Sequence, residues 1–495
     1  MKQIKYILPA LLLIIAVSSF TLHSPDKGNK KKGKGHEITV QIHHLNDSVC
    51  YLYHHYGDKQ RGVDTVQIGK DGLCVFKGDE PLPGGIYIVY VPDKVYFEMI
   101  VNEQNFSIET DTGDFISNMK ISGSKENEVF NKYQKFRKQQ FEKSKALKER
   151  LDKNKSNKDS TKVLNDLMKK LSEDTEEYTV KLFDDNPDLF FTKVMNMTKP
   201  IDIPDPPKDE DGNIIDSMFQ LRYHQKHFFD NIDFSDDRIL RTPIYQQKIN
   251  DYLKLLTSPH PDSVIRSIDF ILDKARANEE VFRYTLASLY NKYNTSKIMG
   301  YDAVFVHISE KYYLSGDAPW ADSTFIKEIA DRIREISPTL IGEKAKNITL
   351  VDTLMRRIPL YSVNAKYTIL FFYEPDCGHC KKATPKVLDV YHEFQQYGVE
   401  VYGVCTKTDI DEWKEFIIDF GTDWINVADP YHQSNFRNLY DVRSTPILYL
   451  LDEDKVIIAK RLGPEQMRKL LARKLGIELP DEEIEDDTGG KEKED

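Results

Sequence analysis

The stretch that decides the fold of this chain is Thr368-Ile-Leu-Phe-Phe-Tyr373-Glu-Pro-Asp-Cys377-Gly-His-Cys380. Its apolar first half predicts a buried β-strand, and its second half carries two cysteines three positions apart. Helical periodicity follows directly, from about residue 378 to residue 397. Two thiols at the start of a helix are able to close into a small disulfide ring and to reopen with little backbone movement. The stretch therefore predicts a strand-to-helix junction that carries a dithiol.

The segments around this junction alternate between strand and helix patterns. Such alternation is typical of an α/β domain, in which helices cover a mainly parallel or mixed sheet. After the first strand, the predicted elements are a helix at 378–397, a strand at 399–405, a helix at 410–420, a hairpin at 447–462 and a helix at 464–475. We therefore expect an α/β domain over residues 341–477.

Cys377 and Cys380 are the predicted reactive pair. Cys377 is expected at the N-terminus of the helix, where unpaired N–H groups and the positive end of the dipole lower the pKa of a thiol below its free value of ~8.5. Cys380 is expected one turn later and more buried, where it resolves a mixed disulfide between Cys377 and a substrate. His379 between them favours the thiolate when it is protonated.

A metal centre is the main structural alternative for the pair, because Cys-x-x-Cys also occurs as half of a zinc or copper site. A structural zinc usually needs a second pair of ligands. Cys405 stands alone 25 residues after Cys380, and Cys50 and Cys74 belong to another part of the chain. We therefore predict neither a metal site nor a cofactor.

Residues 372–381 resemble the active-site segment of protein disulfide isomerases, which belong to the thioredoxin superfamily. Pro385, five residues after the second cysteine, matches the proline that kinks the active-site helix of that superfamily. Ser444-Thr445-Pro446 matches the place of its cis-proline, an isomer that X-Pro bonds adopt at modest cost. The resemblance implies that the backbone before Pro446 pairs with a substrate strand and that Thr445 contacts the reactive sulfur.

The resemblance extends beyond the motif. An added helix between Val404 and Asp429 is similar to that of the TlpA/ResA-like envelope thioredoxins, and a β domain and a helical domain ahead of such a module are similar to multidomain TlpA-like proteins. The implied fold is multidomain with a C-terminal α/β thioredoxin-like fold. The implied location is the periplasm or cell envelope, and the implied partners are protein or peptide thiols and disulfides there, together with a redox partner protein.

Two positions depart from the pattern of these relatives. Phe371 stands where many of them have a buried acid, and Asp376 replaces the usual tryptophan before the first cysteine. Negative charge at Asp376 opposes thiolate formation at Cys377. Asp376 or Glu374 could instead relay protons, or both could be exposed loop carboxylates. The sequence leaves these three roles open, and both residues are kept with Gly378 as parts of the candidate active-site loop.

Two further domains are predicted upstream of the α/β domain. Short alternating strands between Gly and Pro turns predict a small antiparallel β domain at 36–122. Loss of glycine and helical spacing predict an all-α helical domain at 125–338. Cys50 and Cys74 share the β domain, and the sequence leaves open whether they form a disulfide.

Both ends of the chain have biased compositions. Two lysines precede an apolar run at 7–17, which is too short for a membrane span of ~20 residues, so residues 1–19 predict a cleaved secretory signal. An uncleaved N-terminus would provide the one membrane contact that we predict. Residues 478–495 are predicted to be a disordered acidic tail. The net charge of −11 predicts no nucleic-acid partner.

Two functions of different kinds are consistent with these features. The first is an enzyme, a thiol–disulfide oxidoreductase that exchanges disulfides with envelope proteins through Cys377 and Cys380. The second is a non-catalytic envelope binding protein, in which the same pair acts as a redox sensor or a metal carrier. Neither the direction of electron flow nor the substrate follows from the sequence.

Overall fold

The structure is a computed structural model, and it describes residues 35–45, 48–69 and 71–479. The predicted secretory signal at 1–19 lies outside the described residues, as does nearly all of the predicted acidic tail at 478–495. Across the described ranges, no helix has the length and apolar character that a membrane crossing requires.

The chain divides into two compact units. The first contains the chain up to Thr257 together with Phe270–Tyr284, and the second contains Ser258–Asp269 together with the chain from Thr285 onward. The helical middle region therefore contributes to both units.

The first unit begins with eight strands that form two four-stranded sheets. The strands are β1 (His36–His43), β2 (Val49–Tyr56), β3 (Lys59–Gln67), β4 (Leu73–Gly78), β5 (Gly85–Val91), β6 (Val95–Val101), β7 (Asn105–Asp111) and β8 (Lys120–Ser122). One sheet has the order β4-β1-β7-β8, and the other has the order β3-β2-β5-β6. Side chains from both sheets fill one shared hydrophobic core, because alternate residues of a strand point to the same face.

One strand pair contradicts the prediction that the β domain is antiparallel. β1 and β7 are parallel, from Glu37 opposite Asn105 to His43 opposite Asp111. Parallel neighbours need a long crossover connection, and here the chain passes through the second sheet before it returns. The other described pairs in these sheets are antiparallel. The N-terminal β region is therefore mixed, and its first sheet contains the exception.

Helices follow the sheets, as predicted. They are α1 (Lys125–Lys153), α2 (Lys158–Asp184), α3 (Phe190–Met197), α4 (Phe219–His227), α5 (Tyr245–Asp251), α6 (Pro261–Ala275), α7 (Glu279–Asn294), α8 (Tyr301–Ile308) and α9 (Ser323–Ile336). Capping side chains fix the starts of the two longest, since Ser124 accepts a hydrogen bond from the N–H of Asn127 and Asn157 accepts one from Ser160. The helical character of the middle region is confirmed.

The second unit contains a seven-stranded mixed sheet with helices on both faces. Its strands are β9 (Thr349–Val351), β10 (Arg357–Pro359), β11 (Tyr367–Tyr373), β12 (Val399–Cys405), β13 (Ile425–Ala428), β14 (Ile447–Leu451) and β15 (Ile457–Lys460). Its helices are α10 (Gly378–Phe394), α11 (Ile410–Phe420), α12 (Phe436–Leu439) and α13 (Pro464–Leu475). The strand order is β10-β9-β13-β12-β11-β14-β15, with β11, β12 and β13 parallel to one another.

The central strand β11 is buried on both faces. Phe371 and Tyr373 point into the core formed with α10, α11 and α13, whereas Leu370 and Phe372 point into the core on the opposite side. A strand that is covered on both faces reads as an unbroken apolar run. The strand that leads into the junction is therefore packed in hydrophobic cores on both of its faces.

Candidate active site

The candidate site lies where β11 ends and α10 begins. Cys377 is the N-cap residue of α10, and its sulfur accepts a hydrogen bond from the backbone N–H of Cys380 at 3.3 Å. The first N–H groups of a helix have no partner within the helix, so a sulfur at this position receives both a hydrogen bond and the positive end of the dipole. Cys377 is half-buried.

Cys380 lies one turn into α10 and is fully buried. Its sulfur accepts a hydrogen bond from the backbone N–H of Glu374 at 3.5 Å. Its carbonyl oxygen accepts a bond from the Thr384 hydroxyl at 2.9 Å, and Pro385 follows inside the helix. Pro385 has no N–H to donate to the carbonyl oxygen of Lys381, four residues earlier, so one bond of the helix ladder is missing after the first turn.

The pKa values of the two thiols are shifted in opposite directions. Partial burial acts to raise the pKa of Cys377, but hydrogen bonds from Cys380, from Thr445 and from the backbone N–H of His379 outweigh it, and the pKa of Cys377 is lowered. Burial raises the pKa of Cys380 to about 12. Near neutral pH, the accessible sulfur is therefore the better nucleophile and the buried sulfur stays protonated.

A cis peptide bond between Thr445 and Pro446 faces the dithiol. The Cys377 sulfur lies 3.6 Å from the carbonyl oxygen of Thr445. The loop thus reaches the half-buried sulfur at hydrogen-bonding distance for a thiol. The structure brings the predicted loop residues and the predicted reactive cysteine together.

The two loop carboxylates have different surroundings. The Asp376 side chain is about half exposed and pairs with Lys407 at 3.0 Å, which lowers the pKa of Asp376. The Glu374 side chain is more buried and accepts a hydrogen bond from the Thr406 hydroxyl at 2.9 Å. The charge of Asp376 is therefore compensated by a neighbouring amine, and the carboxylate of Glu374 is fixed in a polar contact.

Gly378 and His379 form the exposed first turn of α10. A Cβ atom at position 378 would meet open space. The rim of the site next to Cys377 is thus free of bulky side chains at this position.

Two residues that contact the Glu374 side chain, Thr406 and Arg437, were not predicted from the sequence. Arg437 donates a hydrogen bond to the carbonyl oxygen of Thr406 at 2.8 Å and lies 3.8 Å from the Glu374 carboxylate. Thr406 directly follows β12, the parallel neighbour of β11. Its position at the same edge of the sheet as Glu374 could therefore have been predicted. Arg437 follows from no sequence pattern.

Cys405 is fully buried at the end of β12, where burial raises the pKa of its thiol to about 12. Nearby, the hydroxyl of Tyr373 accepts a hydrogen bond from the Trp413 ring N–H at 3.1 Å. Phe371 stacks on Tyr373 with ring centroids 5.3 Å apart. Stacked aromatic rings therefore occupy the buried position at which many thioredoxin-like relatives have an acid.

Within the residues that the structure describes, no group of three or more His, Cys, Asp or Glu side chains is arranged to hold a metal ion.

Three known families match separate parts of the chain. Residues 341–460 match the AhpC/TSA family, residues 36–130 match a domain of unknown function (DUF4369), and residues 211–335 match another domain of unknown function (DUF5106). The C-terminal region is therefore a thioredoxin-like AhpC/TSA domain, and the predicted thioredoxin-like fold is confirmed for it.

The same region is similar to the thiol-disulfide oxidoreductase ResA. The chain is 25% identical to ResA of Bacillus anthracis over 131 residues, which are 26% of this chain and 74% of that protein. It is 27% identical to ResA of Halalkalibacterium halodurans over 128 residues, which are 26% of this chain and 72% of that protein. The C-terminal region is thus similar, at low identity, to proteins that are named thiol-disulfide oxidoreductases.

Solved structures with partial likeness include a domain of a possible thiol-disulfide isomerase from Cytophaga hutchinsonii. That domain is 41% identical, with 28% of this chain and 95% of that chain covered and a TM-score of 0.27. A thioredoxin-like protein from Bacteroides caccae is 21% identical, with 56% and 99% covered and a TM-score of 0.45.

Proposed function

We propose that the chain is a thiol–disulfide oxidoreductase that exchanges disulfides with protein or peptide substrates through Cys377 and Cys380. The observation that supports this most is the asymmetry of the pair. One sulfur is accessible, capped by a helix N-terminus and lowered in pKa, and the other is fully buried one turn behind it with its pKa raised. A nucleophile and a resolving thiol need these two environments.

In the reducing direction, the Cys377 thiolate attacks one sulfur of a substrate disulfide. A mixed disulfide forms, and the other substrate sulfur leaves as a thiolate that takes up a proton. Cys380 then loses its proton and attacks the Cys377 sulfur, which closes the Cys377–Cys380 disulfide and releases the second substrate thiol. Two electrons pass from the protein to the substrate, and the oxidising direction is the reverse.

The loop at Thr445 and Pro446 is proposed to dock the substrate. Its position 3.6 Å from the Cys377 sulfur supports this, because a substrate sulfur bonded to Cys377 must lie beside the same loop. The exposed turn at Gly378 and His379 leaves the approach open.

The loop carboxylates receive separate proposed roles. Asp376, held by Lys407, tunes the charge around Cys377 from the solvent side. Glu374 presents its backbone N–H to the Cys380 sulfur while its carboxylate is held by Thr406. Glu374 therefore acts on Cys380 as a positioning residue.

A turnover assay on the full chain tests the proposal. Reduction of a protein disulfide such as that of insulin, with a dithiol as electron donor, is expected to proceed with the unaltered protein and to be lost in Cys377→Ser. Cys405→Ala is the matched control, because Cys405 is a buried cysteine of the same domain at the end of the neighbouring strand. Equal turnover in Cys377→Ser and in Cys405→Ala would contradict the proposal.

The bacterial envelope is the proposed location. The predicted secretory signal at 1–19 and the resemblance to envelope thioredoxins support it. Cell fractionation and N-terminal sequencing of the expressed full chain test it. A product that starts just after the apolar run and lies in the envelope fraction is expected, whereas a cytoplasmic product that keeps Met1 would contradict the location and leave the exchange chemistry untouched.

A further inference from the structure

A second pair of cysteines lies in the first unit, outside the candidate active site. Cys50 is on β2 and Cys74 is on β4, so the two residues belong to different sheets of the N-terminal β region. Both are inside the core that the sheets share, with exposed fractions of 0% and 1%. The two sheets therefore present one cysteine each to the same interior layer.

Cys50 and Cys74 lie near each other in this shared core. The Cys74 thiol donates a hydrogen bond to the carbonyl oxygen of Val40 at 3.2 Å. A disulfide, with its S–S length of ~2.05 Å, forms only between cysteines that already lie near each other, as these two do. Val40 lies on β1 and is paired on both sides, with Cys74 on β4 and with Ile108 on β7, so loss of the thiol hydrogen bond leaves no strand unpaired.

We propose that Cys50 and Cys74 form an intersheet disulfide when the protein is exposed to a thiol oxidant. The inference goes beyond the exchange activity proposed for the second unit and does not depend on it. The disulfide ties β2 of one sheet to β4 of the other.

The oxidant is a low-molecular-weight or protein disulfide. The thiolate of one cysteine attacks it, forms a mixed disulfide and releases one thiol. The second cysteine then attacks the sulfur of the first cysteine, which closes the Cys50–Cys74 bond and releases the second thiol. Two protons and two electrons leave the pair, and the oxidant becomes two thiols. The interaction with Cys50 lowers the pKa of the Cys74 thiol, whereas the interaction with Cys74 and burial raise the pKa of Cys50. Cys74 is thus the better first nucleophile.

Burial decides when this bond forms. An oxidant has no access to either sulfur in the folded sheets, so oxidation accompanies folding or a local opening of the sheets. Once closed, the bond is shielded from external reductants in the same way. The half-buried Cys377 has no such protection.

The test is peptide mapping of the full chain after refolding from denaturant in glutathione buffers of graded redox ratio. Trypsin places Cys50 in peptide 35–59, Cys74 in 71–77, Cys377 with Cys380 in 367–381, and Cys405 in 387–407. The expected result is a cross-linked pair of peptides 35–59 and 71–77 that is two hydrogens lighter than the free peptides. In the folded protein, dithiothreitol should open this link roughly tenfold or more slowly than the bond within 367–381.

Two outcomes would overturn the inference. One is free, alkylatable thiols in both peptides under conditions that oxidise Cys377 and Cys380, and the other is a separate glutathione adduct on each cysteine. Thermal unfolding adds a second readout, in which oxidation should raise the Tm of Cys377→Ser/Cys380→Ser but not that of Cys50→Ala/Cys377→Ser/Cys380→Ser. If Cys50→Ala fails to fold, the peptide map of the unaltered chain still decides.

Discussion

Replacement of Asp441 by asparagine should destabilise the second unit by removing a buried negative charge. The Asp441 side chain is 2% exposed. Its carboxylate accepts two hydrogen bonds from Arg332 on α9, at 2.6 and 3.0 Å, and one from Arg443 at 3.1 Å, and it pairs also with Arg461. Asparagine tolerates the left-handed backbone at this position, where φ is 47°. The substitution therefore removes the charge with little backbone strain.

The expected loss follows from the burial of the partners. Removal of one member of a buried ion pair costs about 3–5 kcal/mol. The Arg332 side chain is 24% exposed, and those of Arg443 and Arg461 are 59% and 52% exposed, so the arginines recover part of their hydration. We therefore expect about 3 kcal/mol, which lowers Tm by about 6–12 °C for a domain of this size class.

The assay is thermal unfolding followed by circular dichroism, with Asp331→Asn as the matched control. Asp331 is half exposed and pairs with Arg334 on its own helix, so its loss should cost about 0.5 kcal/mol or less. Burial opposes ionisation of Asp441, but its bonds to Arg332 prevail and lower its pKa. Its contribution is thus present above the unfolded pKa of ~3.9 and is lost as pH falls through the lower folded pKa. Equal Tm losses in the two variants at pH 7 would refute the reasoning.

Three further predictions concern the site and its support. Alkylation should label Cys377 with a pH midpoint below the ordinary thiol value of ~8.5, because its pKa is lowered. Cys380, with its pKa raised to about 12, should stay unlabelled through neutral pH, and equal labelling of both cysteines would contradict the difference in pKa. Lys407→Ala should raise that midpoint and Asp376→Asn should lower it, each by less than ~1 pH unit because the pair is exposed; shifts of the same sign would exclude the charge effect. Trp413→Phe should lower the free energy of unfolding in denaturant by ~1–3 kcal/mol, because it leaves a cavity and removes the hydrogen-bond donor of the buried Tyr373 hydroxyl. An unchanged midpoint would show that the contact contributes nothing to stability.

The strand-to-helix junction could be predicted because its signal is local. An apolar run that is buried on both faces, two cysteines three apart and a helical period follow one another within one short stretch. Hydrophobic periodicity likewise predicted the helices of the middle region and the alternation in the C-terminal domain. The thioredoxin-like fold of that domain is confirmed by its AhpC/TSA match.

Other features depend on contacts between distant residues. Arg332 and Asp441 are 109 positions apart, and nothing in the local pattern of either segment points to the other. The parallel pairing of β1 with β7 is equally remote, since alternation along a strand does not specify its neighbour. The contacts of Glu374 with Thr406 and Arg437 join three segments that are far apart in the sequence, two loops and helix α12. For this reason, the sequence left the role of Glu374 open.

The measurement that tests the proposed exchange chemistry most directly is intact-mass and peptide analysis of reduced Cys380→Ser after reaction with glutathione disulfide. The account predicts one stable glutathione adduct, on Cys377, because the resolving thiol is missing. The unaltered chain should instead pass through the adduct to a Cys377–Cys380 disulfide. An adduct on Cys405, or a Cys377 that stays unmodified in Cys380→Ser while the unaltered chain is oxidised, would contradict the assignment of Cys377 as the nucleophile.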